Sequence, residues 1–224
     1  MIRTLLVVLV LVFAIAGIAG AWGLPSLPGL GTSSGASYGD PDGFLRKAKN
    51  AEALIDRSAD SLFNAVASKE EQAKMEEMQK KLNETTSDKE KNALRLQMTE
   101  SEMATIEKRS QDKELQEEAK QWDTRKKQQV ATAFFNFSLG ALQAGLLVPE
   151  GTNLVNSLRS SPINAARFAL KITSVFEAIK TIKGILGGTV NVISALKPLM
   201  SAANIEVKSP SSATETPKDA SADI

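Results

Sequence analysis

The chain has 224 residues, 42% of them hydrophobic, and its 27 Lys and Arg nearly balance 26 Asp and Glu. It contains no Cys and no His, which excludes disulfides, thiolate nucleophiles, a lipid-carrying N-terminal Cys, Cys/His zinc sites and imidazole acid–base chemistry. Aromatic residues are 5%, with one Tyr and two Trp, too few to build stacking platforms along a single-stranded nucleic acid.

Residues 1–21 read as an export signal. Arg3 supplies the positive start, residues 5–18 an apolar run, and Ala19-Gly20-Ala21 a small-x-small cleavage site. An uncleaved anchor is the alternative, since the run to Ala21 is about 17 residues, the lower limit for crossing hydrocarbon. Both readings place the rest of the chain outside the cytoplasm, in the periplasm or secreted. Residues 22–43 hold Pro25, Pro28 and many Gly and Ser. They read as a flexible linker that buries too little apolar area to order itself.

A first helix is expected from Asp40-Pro41-Asp42, where acidic residues and a proline suit a helix start. Leu45, Ala48, Ile55, Ala59, Leu62, Phe63 and Val66 then recur at three and four residues. Ser68-Lys69-Glu70-Glu71 and Ser87-Asp88-Lys89-Glu90 match capping boxes. Met75, Met78 and Leu82 form a thin packing stripe between them, and residues 83–87 read as a turn.

Residues 68–129 are about half charged with nearly equal signs. From Ser87 one long helix is expected to run to Val148, close to 90 Å at about 1.5 Å per residue. Its charges form a solvated face, with Asp123 and Lys127 as a favourable pair four residues apart. Arg125-Lys126-Lys127 is a weak nucleic-acid patch because acidic neighbours cancel its field. The stretch 130–148, VATAFFNFSLGALQAGLLV, carries no charge. Pro149-Glu150-Gly151 is expected to end the helix, with a short helix after it through Leu154, Val155 and Leu158.

Ser161-Pro162 is a second helix start. Phe168, Ile172, Val175, Phe176, Ile179, Ile182 and Leu186 fall on one face, with Thr173, Glu177 and Lys180 opposite. Gly187-Gly188 reads as a hinge. The spacing of Gly184 and Gly188 also permits close helix contact in membranes. This region is basic, with Arg159, Arg167, Lys171, Lys180, Lys183 and Lys197 against Glu150 and Glu177. Residues 204–224 are polar and rich in Ser, Thr, Ala and Pro, a disordered tail.

The expected fold is therefore all-α: an elongated helical hairpin or bundle over 44–203 with one very long helix, a flexible N-terminal linker and a disordered tail. The charged, coiled-coil-like part covers 68–129 and the apolar part 130–203. Trp122, Val130, Phe134, Phe137, Phe168, Ile172, Phe176 and Ile179 are the candidate core or membrane-insertion residues. No catalytic, cofactor or metal site stands out, and no Walker loop, GxSxG or EF-hand spacing is present.

The uncharged stretch is long enough to cross a bilayer, but Asn136, Ser138 and Gln143 are costly there without partners. Spanning by an exported chain would also reverse the positive-inside bias, with Lys120, Arg125, Lys126 and Lys127 on the outer flank. Burial against the first helix and the 168–186 face is the better expectation. The implied function is non-catalytic binding or scaffolding in the envelope or outside the cell. The expected partner is an unidentified protein or a second copy joined through helical stripes, or a membrane surface, with no nucleic acid. The alternative is a membrane-active protein that inserts through 130–148 and 162–196, and an unrecognised enzyme is third. Long polar helices beside one apolar segment resemble α-helical pore-forming toxins in outline only, with no motif of that family in the chain.

Overall fold

The computed structural model describes residues 39–160 and 162–219. The expected signal, the linker up to residue 38, the Ser161 cap and residues 220–224 lie outside the described residues. The described chain is all-α, with helices α1 (Pro41–Val66), α2 (Lys69–Glu84), α3 (Asp88–Ser110), α4 (Lys113–Ala119), α5 (Thr124–Arg159), α6 (Pro162–Arg167) and α7 (Ala169–Ala202). Four long helices, α1, α3, α5 and α7, share one core. α1 packs on α5, α3 and α7, and α7 packs on both α3 and α5.

The helix starts follow local chemistry. Asp40 caps α1 by accepting from Gly43 N at 2.8 Å, with Pro41 in the first turn. Ser68 and Glu71 form the full capping box of α2. Ser87 caps α3 by accepting from Glu90 N at 3.5 Å. Arg109, at the end of α3, donates to the Val66 carbonyl that ends α1 and pairs with Asp112 and Glu71. One guanidinium thus ties three helix ends together and fills an orphan carbonyl.

The single helix expected over 87–148 is divided twice. Asp112 caps α4 through Glu114 N at 2.9 Å, and Asp123 caps α5 through Lys126 N at 2.7 Å. An aspartate that bonds the backbone ahead of it starts a new helix in preference to continuing the old one. Asp123 therefore serves as a cap and not as the expected ion-pair partner of Lys127. Lys126 instead bridges Glu118 at 3.5 Å and lies 4.4 Å over the Trp122 ring.

Conversely, α5 does not end at Pro149. It runs on to Arg159, so the expected short helix through Leu158 is its last part. An interior proline costs a helix about 3 kcal/mol. Here buried Leu147 on one side and Leu154, Val155 and Leu158 on the other hold both halves in one core. Gly151 serves packing and not termination. A Cβ there would lie 2.6 Å from Phe44 Cζ and 2.7 Å from Ile179 Cγ1, so α1, α5 and α7 meet where only glycine fits. Gly140 likewise lets α5 approach the α1 backbone, where a Cβ would lie 3.2 Å from Ile55 N.

α7 also differs from expectation. It is unbroken through Gly187 and Gly188, so there is no hinge. Gly188 faces Met103 of α3 while Gly184 faces open space, so the two do not form one contact. At the other end the expected single helix from Pro162 divides at Phe168 into α6 and α7. The buried positions Val175, Ile182, Thr189 and Leu196 recur at sevens, as do Ile185, Val192 and Leu199. That period of 3.5 turns the buried stripe gradually around a helix of 3.6 residues per turn, as in coiled coils. Phe176 falls outside the stripe and is 52% exposed, against its expected place on the core face.

α7 ends at a left-handed residue, Asn204 (φ 55°). Ile205 N donates to Met200 O at 2.8 Å and Asn204 N to Ser201 O at 3.1 Å. This paired closure, with Ile205 buried beyond it, stops the helix and turns the chain back. Residues 205–219 are irregular, as their composition implies. They nonetheless lie against α5, a contact the composition gave no sign of.

Candidate functional site

Three places on the molecule could carry function: the uncharged centre of α5, the outward side of α6 and α7, and a cleft between α1, α2 and α3.

The centre of α5 is enclosed. Val130, Phe134 and Phe137 have no exposed surface and sit in the shared core. On the other side of the helix, Phe135, Asn136, Leu139 and Gln143 share a stripe at about 100° per residue. The C-terminal segment runs along it. Asn136 Nδ2 donates to Lys218 O and Lys218 N donates to Asn136 Oδ1, both at 2.8 Å, and Gln143 Nε2 donates to Ala213 O at 2.9 Å. The Lys218 ammonium lies 4.1 Å over the Phe135 ring. Glu215 accepts from Ser211 and Ser212, closing the segment into a local turn. Those bonds hold its carboxyl below the usual range. The two amides that are costly in lipid are thus the ones that anchor the tail. Only the Ser138 hydroxyl of the three polar groups lacks a partner.

Both α5 and α7 are long and apolar enough to cross a membrane, yet 56% of the most apolar window of α5 is buried in protein against 39% for α7. The difference is visible in side chains. Ile163, Leu170, Phe176 and Val190 are 78%, 85%, 52% and 53% exposed. Arg167, Lys171, Lys180 and Lys183 stand among them, all exposed. Lys171 is paired with Asp42 of α1, and Glu177 lies on the same outward side.

The eight sequence candidates divide accordingly. Val130, Phe134, Phe137, Ile172 and Ile179 are core, and Trp122 is buried with its Nε1 donating to Glu118 at 3.3 Å. Phe168 is half-buried at the α6–α7 corner, with Arg167 5.4 Å over its ring. Phe176 alone faces out.

The cleft, about 720 Å³, was not legible beforehand. Asp56, Arg57, Asp60 and Phe63 come from α1, Met75, Glu76 and Leu82 from α2, and Lys91, Arg95, Met98, Thr99 and Glu102 from α3. Thr99 Oγ1 donates to Asp56 Oδ1 at 3.0 Å and to the Arg95 carbonyl at 3.1 Å. Burial pushes the Asp56 carboxyl up, against the opposing pull of Thr99 and Arg95. Burial and then Asp56 push Glu52 up in the same way. Glu102 is only 6% exposed. Burial, with Asp60 and Asp56 adding to it, pushes its carboxyl up to about 8. Among the described residues, no three acidic side chains are placed to hold a metal ion.

No protein-family model, curated protein or solved structure matches the chain.

Proposed function

We propose that this chain is a non-catalytic, exported helical protein that works by binding, and that it docks on an anionic membrane surface through α6 and the outward side of α7. The observation that carries the reading is the set of large apolar side chains left in water beside cations that form no ion pair with the described residues. Ile163, Leu170 and Phe176 stand exposed next to Arg167, Lys180 and Lys183. A helix of this kind lies in the headgroup plane, with apolar side chains in the acyl boundary and cations on lipid phosphates. Each cation near an anionic surface adds about 1 kcal/mol.

Crossing the bilayer is the weaker alternative. α5 would have to abandon the core around Phe134 and Phe137, and α7 the heptad stripe through Ile182, Val192 and Leu196. Export rests on Arg3, the apolar run 5–18 and Ala19-Gly20-Ala21. The non-catalytic reading rests on a sequence with no His, no Cys and no catalytic motif.

Flotation with vesicles tests it. The purified protein should rise with phosphatidylglycerol-containing vesicles and stay down with phosphatidylcholine alone. Leu170→Ser with Phe176→Ser, or Lys180→Glu with Lys183→Glu, should abolish flotation while the melting curve stays put. A protein that ignores both kinds of vesicle would return the function to a soluble scaffold that binds another protein.

A further inference from the structure

The cleft between α1, α2 and α3 is built unlike the rest of the molecule. Its apolar surface comes from Phe63, Met75, Leu82 and Met98, and four carboxylates, Asp56, Asp60, Glu76 and Glu102, line it with them. Its volume, about 720 Å³, is that of a small-molecule site.

Surface carboxylates alone would mean little, because helix faces here are crowded with them. Glu102 is different. It is more than nine-tenths buried, at 6% exposure, and it lines the cleft. No hydrogen bond or ion pair reaches its carboxyl from the described residues. Its oxygens are not sealed in protein, so the little surface the residue keeps opens its carboxyl to the cleft, where no protein donor meets it. The nearby protein charges that act on it, Asp60 and Asp56, are of its own sign. Arg95 acts on Asp56 and Glu52 instead. Glu102 is left a donor short, beside flexible thioether side chains that adapt to a guest.

We infer that this cleft binds an organic cation with an apolar stem, an alkylammonium in its simplest form. The ammonium seats between Glu102, Asp60 and Asp56, and the stem lies on Met75, Met98 and Leu82. The ligand supplies the donors that Glu102 lacks and separates its charge from those of Asp56 and Asp60. Glu102 gives its proton to solvent as the cation arrives, because it is held mostly protonated at neutral pH. Affinity therefore rises with pH up to about 8. The charged groups facing the site are Asp56, Arg57 and Asp60 from α1, Glu76 from α2, and Lys91 and Arg95 from α3. The three cations, Arg57, Lys91 and Arg95, would attract an anionic guest, so a charge-reversed control is needed.

Calorimetric titration of the purified protein with hexylammonium, and with hexanoate as the charge-reversed control, tests the inference. Hexylammonium should bind and hexanoate should not, with a proton released per ligand at pH 7 seen as a buffer-dependent heat. Glu102→Gln should weaken hexylammonium at least about tenfold, the worth of one charge-assisted hydrogen bond, and remove the proton release. Asp60→Asn should also weaken it, and carries the test should the Glu102 variant fail to fold. Absence of binding to the unmodified protein, equal binding of hexanoate, or equal affinity in both carboxamide variants would overturn it. The site uses none of the α6–α7 residues, so vesicle docking and alkylammonium binding can fail separately.

Discussion

α5 and α7 are close to twins by length, 36 and 34 residues, and both are apolar enough to cross a membrane. In the fold they part company. The centre of α5 is closed on one side by the core and on the other by residues 213–218, which bond its only two amide side chains in that stretch. α7 has an inner stripe with a period of 3.5 and an outward side that nothing among the described residues covers. Hydropathy measures how much a helix would gain by leaving water. It is silent about whether protein or lipid provides the shelter. The polar residues distinguish the two: Asn136 and Gln143 find backbone partners in this same chain, whereas the outward side of α7 carries ammonium groups.

The largest effects should come from the enclosed helix. Phe137→Lys places an isolated charge in a fully buried site and should prevent folding or lower the melting temperature drastically. Phe134→Ala should cost about 3–5 kcal/mol in denaturant unfolding. Either variant retaining full stability would mean α5 is not enclosed.

Glu102, a mostly buried carboxyl that meets no donor among the described residues, makes a second contrast, this time with the satisfied amides of α5. In the folded protein burial, with Asp60 and Asp56 beside it, pushes the Glu102 carboxyl from near 4.5 up to about 8. The fold then holds more protons than the unfolded chain between those values, so stability falls as pH rises across that window. Urea midpoints measured from pH 5 to 9 should decline, and Glu102→Gln should flatten the decline and exceed the parent at pH 9. A decline unchanged in the variant would place its origin in another group.

Gly151→Ala should cost about 1–3 kcal/mol, because the added methyl meets Phe44 and Ile179 at less than van der Waals distance. Gly184→Ala, with nothing within 4 Å, should instead be neutral or stabilising, since alanine favours the helix by about 1 kcal/mol. Melting curves of the pair separate a packed glycine from a free one on the two helices compared.

Smaller effects belong to the tail. Asn136→Ala removes two hydrogen bonds to Lys218 and should cost about 1–3 kcal/mol. It should also speed proteolysis within 205–219. Phe176→Ser, on the outward side of α7, should change stability by less than about 0.5 kcal/mol while weakening vesicle flotation.

Much of this was legible from residue spacing. The Asp40-Pro41 start, the Ser68–Glu71 box and the placement of Phe134 and Phe137 in a core all depend on neighbours within a few positions. Asp112 and Asp123 were legible in principle, as cap residues inside a charged run, but they were read with the other charges as one solvated helix face. Pro149 misled because its local penalty is real and the tertiary core overrides it. Phe176 misled because a face drawn at 100° per residue drifts from a stripe that repeats every seven. The tail contact joins residues 82 apart, and the cleft needs three helices in place. No local pattern announces either.

The central claim is that α5 stays sheltered by protein while α6 and α7 meet the membrane. Hydrogen exchange with and without anionic vesicles tests both halves at once. Peptides covering 162–183 should gain protection on vesicles, and peptides covering 130–148 and the α1 face packed on them should exchange as slowly as in solution. Unchanged exchange at 162–183, or faster exchange in α1 as α5 departs, would contradict the account.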